Sequence, residues 1–383
     1  WHLIEVKSSA SLKDTHRDDA AIQAWIAREA GLALASVRVA HINTGFVYAG
    51  EGDYRGLLRE HDLTPEVGAR AREVAAWVAD AHRVADLPAE PQVSTGAHCR
   101  SPYECGFLDH CRSLEPQVEF PVAWLPKVTR RALKEFLADS GARDLRDLPD
   151  DLLTEEQRRV KACTLERRIH FDHDSAARAL ATHPGPARFL DFETTQFAVP
   201  RWAGTRPHQQ IPFQFSLQAI APDGALSEVA FLDLSGVDPR LRFAEALIAA
   251  CGTSGAIYVY NIAFEAGRIR ELAALLPGQA SMLDAIARRL VDLLPVVQAT
   301  YYHPAQQGSW SIKKVLAAAL PALAHDTLDG VKDGAAAASA YQEAIDAATS
   351  PDRRAQIESE LRAYCRRDTE ALARLWQFLR GTS

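Results

Sequence analysis

The sequence has no apolar run long enough to cross a membrane and no excess of basic residues. A membrane-spanning helix needs about 20 consecutive apolar residues, so we expect a cytoplasmic protein without a membrane partner. The formal net charge of −7 argues against a broadly basic, nucleic-acid-coating surface. It does not exclude a protein whose clustered acids are offset by bound metal ions.

Cysteine is scarce, with 6 in 383 residues, and nothing in the sequence indicates secretion. A disulfide framework is therefore not expected. The chain is 47% hydrophobic and 24% charged, which predicts a globular protein of two or three domains. It begins at Trp1, inside an apparent β-strand and without an initiator Met, so we expect further residues upstream.

Asp191 and Glu193 end a short apolar run at residues 189–194 that predicts a β-strand. Side chains two positions apart on a strand point to the same face, so both carboxylates can reach one cation. Hard divalent ions such as Mg²⁺ and Mn²⁺ take oxygen ligands of this kind and activate water against phosphate esters. For this motif taken alone, the alternative is an ordinary strand end with solvated acids.

Two later segments add polar groups at element ends. Asn261 follows an apolar strand, and Glu265 falls in the first turn of the helix expected after it. In the C-terminal helix, Tyr364 and Asp368 are four residues apart and share a face. A phenol beside a carboxylate can orient an attacking water. Singly, Asn261 reads as a helix cap and Tyr364 as half-buried, but convergence of such groups is the usual anatomy of a metal site.

These segments resemble the motifs of the DEDD 3′–5′ exonucleases, within the ribonuclease H-like superfamily, over roughly residues 186–380. The first and third motifs match as D-x-E and Y-x-x-x-D, whereas the second is one residue shorter and ends in Glu265 instead of Asp. The resemblance implies a Tyr364 that orients water and two Mg²⁺ or Mn²⁺ ions, held by a set of four carboxylates: Asp191, Glu193, Glu265 and Asp368.

Four further residues flank this expected centre. Asp292 is expected to end a helix and to lie behind the metal ligands, while Ser309 and the pair Lys313 and Lys314 lie near a Gly308 turn. The last three either contact phosphate or form a solvated helix start. The altered second motif keeps a rival open: a nucleic-acid-binding or scaffold protein on a degenerate nuclease fold. A third reading is a redox-sensing iron–sulfur protein.

Near the N-terminus, Glu5 and Lys7 form an E-x-K motif on an expected central strand, and Gln23 lies on the next helix. This pattern resembles the PD-(D/E)xK nucleases of the RecB and Cas4-like branch. There the Glu binds a metal and the Lys stabilises charge or positions water. The Tyr usual after the Gln is absent, with Trp25 nearby, and the acid that completes such a site is expected upstream of Trp1.

Cys99, Cys105 and Cys111 lie within 13 residues and are expected to converge on a metal. RecB and Cas4-like nucleases with clusters place one Cys before the nuclease core and three after it. The resemblance therefore implies a [4Fe–4S] cluster whose fourth Cys lies upstream. Zinc, with His98 or His110 as fourth ligand, is the less favoured alternative.

The whole chain resembles a bacterial family, usually described as a domain of unknown function, that joins these two nuclease types. The expected fold is α/β: a ribonuclease H-like mixed sheet flanked by helices, preceded by part of a PD-(D/E)xK domain. The expected partner is nucleic acid, DNA before RNA. The predicted domains are 1–115 (PD-(D/E)xK region with the Cys cluster), 116–185 (helical connector) and 186–383 (exonuclease domain).

The predicted elements follow from apolar periodicity and turn residues. Strands are expected at 189–194, 214–218, 229–232 and 257–260. Helices are expected at 128–137 and 152–168 in the connector, and at 242–251, 281–294, 312–320 and 352–379 after it. The run Pro184-Gly185-Pro186 marks the expected boundary before the exonuclease domain.

Overall fold

The computed structural model describes residues 1–183, 186–220, 226–321 and 331–381. Over these residues the protein is a mixed α/β structure, about half helical, whose sheets combine parallel and antiparallel strands. No helix in these ranges is both long enough and apolar enough to cross a bilayer. The chain divides into a smaller unit, residues 1–117 with 196–209, and a larger unit, residues 118–195 with 210–383. The domain boundaries predicted from the sequence stay predictions.

The smaller unit contains a short sheet and several helices, which are β1 (His2–Lys7), α1 (Asp14–Glu29), β2 (Ser36–Ile42), β3 (Leu58–Asp62), α2 (Thr64–Ala69), α3 (Ala71–Ala85) and α4 (Leu108–Leu114). The sheet order is β1-β2-β3, parallel and then antiparallel. Alanines of α1, such as Ala20 and Ala24, pack on Val37 and Val39 of β2. Small side chains let the helix lie close to the sheet.

In the larger unit the elements are α5 (Arg131–Ser140), α6 (Glu155–Leu165), β4 (His170–Phe171), α7 (His173–Ala181), β5 (Arg188–Thr195), β6 (Ile211–Ile220), β7 (Leu226–Leu232), α8 (Arg240–Cys251), β8 (Ile257–Val259), α9 (Ala263–Leu275), α10 (Ala280–Ala287), β9 (Leu290–Asp292), α11 (Leu293–Thr300), β10 (Tyr301–Tyr302), α12 (Ile312–Ala319), α13 (Gly334–Ala344) and α14 (Pro351–Arg380). Its main sheet has the order β7-β6-β5-β8-β9. Strands β5, β6 and β7 form an antiparallel meander, and β8 and β9 run parallel to β5.

The main sheet has a hydrophobic core on each face. Leu190 and Phe192 of β5 face one core, which contains residues of α8, α9 and α10. Phe189 faces the other core, which contains residues of α7, α11, α12 and α14. Because neighbouring strand residues alternate between faces, Asp191 and Glu193 share the face of Phe189. The two acids therefore point to the side of the sheet that α14 covers.

Helix α14 is fixed to this face by buried polar contacts. Gln214 Nε2 of β6 donates to the carbonyl of Leu361 at 2.8 Å, and Ser216 Oγ lies 2.8 Å from Thr369 Oγ1. The side chains of Gln214, Ser216 and Thr369 are almost fully buried in this interface. These buried hydrogen bonds favour one register of the helix on the sheet, because a slip would leave the donors without partners.

The secondary structure agrees with the sequence at most predicted strands. The runs at 189–194, 214–218 and 229–232 lie within β5, β6 and β7, and 257–260 overlaps β8. The predicted helix at 281–294 is wrong: α10 ends at Ala287, β9 intervenes, and α11 starts at Leu293. The apolar run of β9 pairs in parallel with β8, so tertiary pairing overrides a helical pattern. Pro184 and Gly185, the expected domain boundary, lie outside the described residues.

Candidate metal centre

Strand β5 presents Asp191 and Glu193 side by side at its C-terminal half. Residue 191 is paired with Ser216 of β6, and the register shifts just after Glu193. An irregularity of this kind re-aims side chains at the end of a strand. Residue Asp191 is partly exposed and Glu193 is 6% exposed.

Helix α14 adds Asp368 to the pair. Ligand oxygens of Asp191, Glu193 and Asp368 all lie within 4.8 Å of one another. Tyr364, one turn before Asp368, is 5% exposed and its hydroxyl is hydrogen-bonded to the Asp368 carboxylate. In the described part of the chain, this is the one group of three or more His, Cys, Asp or Glu side chains with ligand atoms so close together.

Glu265, the expected fourth ligand, lies nearby but outside that closest group. It sits in the first turn of α9, is 3% exposed, and its Oε2 has no hydrogen-bond partner among the described residues. Its charge acts on Asp191, raising the pKa of that carboxyl. A buried carboxylate oxygen without a partner is costly, unless the group is neutral or meets a cation.

The turn before α9 is held by Asp292, which ends β9. Its carboxylate accepts the backbone N–H of Asn261 at 2.9 Å and of Ile262 at 3.1 Å, and also caps α11 at Leu294. Asn261 takes the left-handed conformation, with φ of 69°, which Asn tolerates better than most residues. The expectation that Asp292 ends a helix is wrong, since Asp292 ends the strand β9 and caps the start of the helix α11. Its place behind Glu265 agrees with the expected supporting role, which stays a prediction.

The carboxyl groups are strongly perturbed by one another and by burial. Burial, reinforced by the charge of Asp368, raises the pKa of Glu193 to about 8. Burial raises the pKa of Glu265 to about 8 and that of Asp368 to about 6. Burial and the neighbouring acids also hold the pKa of Asp191 well above its ordinary value. Four acids kept together at this cost are typical of a functional site rather than of a structural one.

A cysteine outside the group of Cys99, Cys105 and Cys111 lies within this centre. Cys365 is buried, and its Sγ contacts Asp191 at 3.8 Å to the backbone oxygen and 4.0 Å to Oδ2. The thiol can donate weakly to the carboxylate and limit its rotation. Its spacing of three residues from Asp368 places both on one face of α14, although that spacing alone does not predict the contact with Asp191.

The three residues expected near phosphate have different surroundings. Ser309 Oγ accepts the N–H of Ser311, which caps α12. Lys314 Nζ lies 3.3 Å from Gln307 Oε1. Lys313 Nζ donates to the carbonyl of Lys332 at 2.8 Å, and its charge lowers the pKa of Glu193 and Asp368. Of the three, Lys313 is the one whose charge acts on the carboxylate group.

The smaller unit brings its own expected residues together. Lys7 Nζ lies 2.9 Å from Glu5 Oε1, and Gln23 Nε2 donates to Glu5 Oε2 at 2.8 Å. Lys7 also contacts the carboxylate of Asp19, and hydrogen bonds to Asp19 and Glu5 raise the pKa of Lys7. Sequence reasoning missed Asp19, although it lies four residues before Gln23 and therefore on the same face of α1.

The expected central position of this E-x-K strand is not observed. Strand β1 pairs on one side only, with β2, in the part of the chain that the structure describes, so it is an edge strand there. Trp25 is half-buried against the core of the smaller unit rather than beside Glu5. The catalytic roles of Glu5, Lys7 and Gln23 stay predictions.

The cysteine cluster does not converge as a zinc site requires. Tetrahedral zinc with Zn–S bonds of about 2.3 Å would bring its sulfurs within about 4 Å of one another. Cys99 is buried, Cys105 is exposed and Cys111 is half-buried, and they form no such group among the described residues. His110, one proposed fourth ligand, lies 2.7 Å from Glu90 instead. Their part in a wider iron–sulfur cluster stays a prediction.

Comparison with known proteins gives one finding. A family model described as "Domain of unknown function (DUF2779)" matches residues 188–311. This stretch contains Asp191, Glu193 and Glu265 but ends before Tyr364 and Asp368, and it is consistent with the expected resemblance to a domain-of-unknown-function family. Neither the curated proteins nor the solved structures provide a match.

Proposed function

We propose that the larger unit is a metal-dependent nuclease that hydrolyses phosphodiester bonds of DNA or RNA as a 3′–5′ exonuclease, with DNA the more expected substrate. The observation that carries the proposal is the carboxylate group itself. Asp191, Glu193 and Asp368 bring oxygens within 4.8 Å of one another. Glu265, which lies nearby, adds a buried oxygen that has no hydrogen-bond partner among the residues that the structure describes. We infer that these four acids gather because they share cations.

The fold supports this proposal. An antiparallel meander of three strands, continued by two strands parallel to the first, is the arrangement that the resemblance to ribonuclease H-like proteins implies. In that arrangement the acids lie on the first strand and on a late helix, as Asp191 and Asp368 do. The likeness is one of architecture, so the function rests on the carboxylates and not on the fold.

The donor set fits hard divalent ions. All four groups offer oxygen, which Mg²⁺ and Mn²⁺ prefer, and no nitrogen or thiolate ligand competes in the compact group. Two such ions, about 4 Å apart, would supply an activated water and stabilise the leaving oxygen. Asp191, Glu193 and Asp368 would hold such ions, and Glu265, whose charge acts on Asp191, would complete the set.

The reaction requires water to be placed opposite the leaving group. One P–O bond forms to the water oxygen as the water loses a proton, the P–O bond to the 3′-oxygen breaks, and the departing oxygen gains a proton. The Tyr364 hydroxyl donates its hydrogen bond to the Asp368 carboxylate, and its oxygen can accept a hydrogen bond from the attacking water. Burial raises the pKa of Tyr364 far above its ordinary value, so the phenol stays protonated and orients the water rather than acting as a base.

An Asp191→Asn variant tests the proposal. Asn has the shape of a protonated Asp, and the pKa of Asp191 is already raised, so the variant should fold at least as stably without metal. It should lose manganese-dependent shortening of end-labelled strands by at least about a thousandfold, because a shared ligand is removed. Asp346→Asn, at an exposed turn, is the matched control. Equal hydrolysis by Asp191→Asn and wild type would refute the proposal; strand binding without hydrolysis by the wild type would favour the scaffold alternative.

A second centre is proposed for the smaller unit. Glu5, Lys7 and Gln23 form a connected group, with Lys7 Nζ 2.9 Å from one Glu5 oxygen and Gln23 2.8 Å from the other. We propose that this group belongs to a PD-(D/E)xK nuclease site and that Cys99, Cys105 and Cys111 hold an iron–sulfur cluster. Lys7→Ala should remove the hydrolysis activity that persists in Asp191→Asn protein. If that protein shows no residual activity and no iron, the second centre is ruled out.

A further inference from the structure

Lys313 lies at the rim of the carboxylate group. It sits in the first turn of α12, and its Nζ donates to the backbone carbonyl of Lys332 at 2.8 Å. Asp333 follows directly and caps α13, whose first residue is Gly334. A Cβ built on Gly334 would lie 3.8 Å from Glu193 Oε2. Lys332, which Lys313 contacts, and Gly334, which lies beside the Glu193 carboxylate, are therefore two positions apart in the chain.

The ammonium has capacity for a further ligand. It carries three N–H donors, and the part of the chain that the structure describes gives it one partner, the Lys332 carbonyl. The side chain is exposed, so an incoming molecule can reach it. A carbonyl contact fixes the position of the charge without neutralising it.

The charge count of a loaded centre leaves a place for this cation. Two divalent ions would balance the negative charges of Asp191, Glu193, Glu265 and Asp368. Asp333, whose charge helps to raise the pKa of Glu193, and a bound phosphodiester each bring one further negative charge, for which these groups offer no counter-charge. Lys313 is the residue whose positive charge already acts on both Glu193 and Asp368, on opposite elements of the centre.

We propose that Lys313 binds a phosphate oxygen of the nucleic-acid strand at the Asp191 centre and so serves as a substrate-binding residue. This inference rests on the proposed function. The neighbouring Lys314 lies in the same helix turn, but its Nζ lies 3.3 Å from Gln307 Oε1. Its charge is not among those that shift the pKa of Glu193 or Asp368. Lys314→Ala is therefore a matched control that removes the same charge from the same helix turn.

The first experiment measures binding apart from hydrolysis. Fluorescence anisotropy follows a labelled single-stranded oligothymidylate in Ca²⁺, which we expect to support binding without turnover. Lys313→Ala should bind about tenfold more weakly than wild type, Lys314→Ala within about twofold, and Lys313→Arg close to wild type. Loss of one phosphate contact should also reduce the slope of log Kd against log salt by about 0.7 for a single strand.

The second experiment separates substrate binding from a structural or metal-holding role. In Mn²⁺, Lys313→Ala should raise KM about tenfold while kcat falls less. Mn²⁺ itself, titrated without a strand, should bind the variant at least as tightly, because a cation beside the acids has been removed. Weaker Mn²⁺ binding together with a lower melting temperature would overturn the proposal in favour of a structural role.

Failure of this inference and failure of the proposed function look different. If wild type binds Mn²⁺ and hydrolyses the strand, but Lys313→Ala matches Lys314→Ala in affinity, KM and salt slope, the Lys313 proposal alone is refuted. If wild type neither binds Mn²⁺ nor hydrolyses any strand, both proposals are refuted. In that case the hydrogen bond from Lys313 Nζ to the Lys332 carbonyl only connects α12 to the segment before α13.

Discussion

Ser216 Oγ of β6 lies 2.8 Å from Thr369 Oγ1 of α14, in an interface where both side chains are almost fully buried. Ser216 is also the residue paired with Asp191 across the sheet, while Thr369 directly follows Asp368. A hydroxyl pair thus connects the strand pair and the helix that supply the carboxylates. The position of Asp368 relative to Asp191 depends on this contact.

Thr369→Val should therefore weaken the metal centre as well as the fold. The variant keeps the shape of the side chain but loses the hydroxyl, which should cost about 1 kcal/mol of unfolding free energy and lower Mn²⁺ affinity several-fold. Urea denaturation and Mn²⁺ titration measure the two effects. Thr182→Val, at the exposed end of α7, is the control and should change neither. A Thr369→Val protein with wild-type metal affinity would contradict the proposed register role.

Metal-free protein should lose stability as the pH rises towards 8. Burial, and for Glu193 also the charge of Asp368, raises the pKa of Glu193 and Glu265 to about 8, above their unfolded values near 4.3. Acids of this kind stabilise the fold below the unfolded pKa, and that contribution is lost as the pH rises through the folded pKa. The melting temperature should fall from about pH 5 to about pH 8, and less steeply in Glu265→Gln. Equal slopes for both proteins would contradict this assignment.

Divalent ions should reverse that trend. Ions need ionised carboxylates, so they compete with protons until the pH passes the raised pKa values, about 6 for Asp368 and about 8 for Glu193. Mn²⁺ should therefore raise the melting temperature more at about pH 8 than at about pH 6, by mass action on the folded state. The Asp191→Asn protein is the control. A larger shift at the lower pH would refute the expected proton competition.

Asp292→Ala should disturb the carboxylate group through the turn that precedes α9. The carboxylate accepts the backbone N–H groups of Asn261, Ile262 and Leu294, and removing it leaves them without that acceptor. We expect a loss of roughly 2 kcal/mol or more in unfolding free energy, with weaker Mn²⁺ binding because α9 carries Glu265. Asp346→Ala removes a single exposed turn acceptor and is the control. Unchanged metal affinity in Asp292→Ala would argue against a supporting role.

Asp19 should control the reactivity of Lys7. Hydrogen bonds to Asp19 and then to Glu5 raise the pKa of Lys7. Asp19→Asn should lower that pKa, increase the neutral amine fraction and speed acetylation of Lys7, which mass spectrometry can follow. Asp109→Asn, on the exposed face of α4, is the control. Slower acetylation of Lys7 in Asp19→Asn would show that the contact does not hold in solution.

Much of the larger unit could be predicted because its signals are local. The D-x-E of β5 and the one-turn spacing of Tyr364 and Asp368 each lie within one element, and periodicity alone fixes which side chains share a face. The contacts that sequence could not give are those between elements. Cys365 against Asp191, Asp19 against Lys7, and the parallel pairing that makes a strand of β9 all depend on tertiary position.

The cysteine trio shows the opposite case. Its spacing within 13 residues suggested convergence, yet short chain segments do not by themselves direct side chains to a point. Cys105 donates its backbone N–H to the Cys99 carbonyl at 2.8 Å, which brings the main chain together while one thiol is buried and the other exposed. Sequence proximity alone therefore did not determine where the three sulfurs lie.

Asp191 and Cys365 touch although 174 positions separate them in the chain. Closing so long a loop is entropically slow, so contacts between α14 and β5 should be among the last to form during folding. A chain emerging from the ribosome would then carry the β5 acids long before the helix that completes their group. Interrupted synthesis would release polypeptides that possess Asp191 and Glu193 but no assembled carboxylate group, and the proposed nuclease activity would mark only chains that had finished folding.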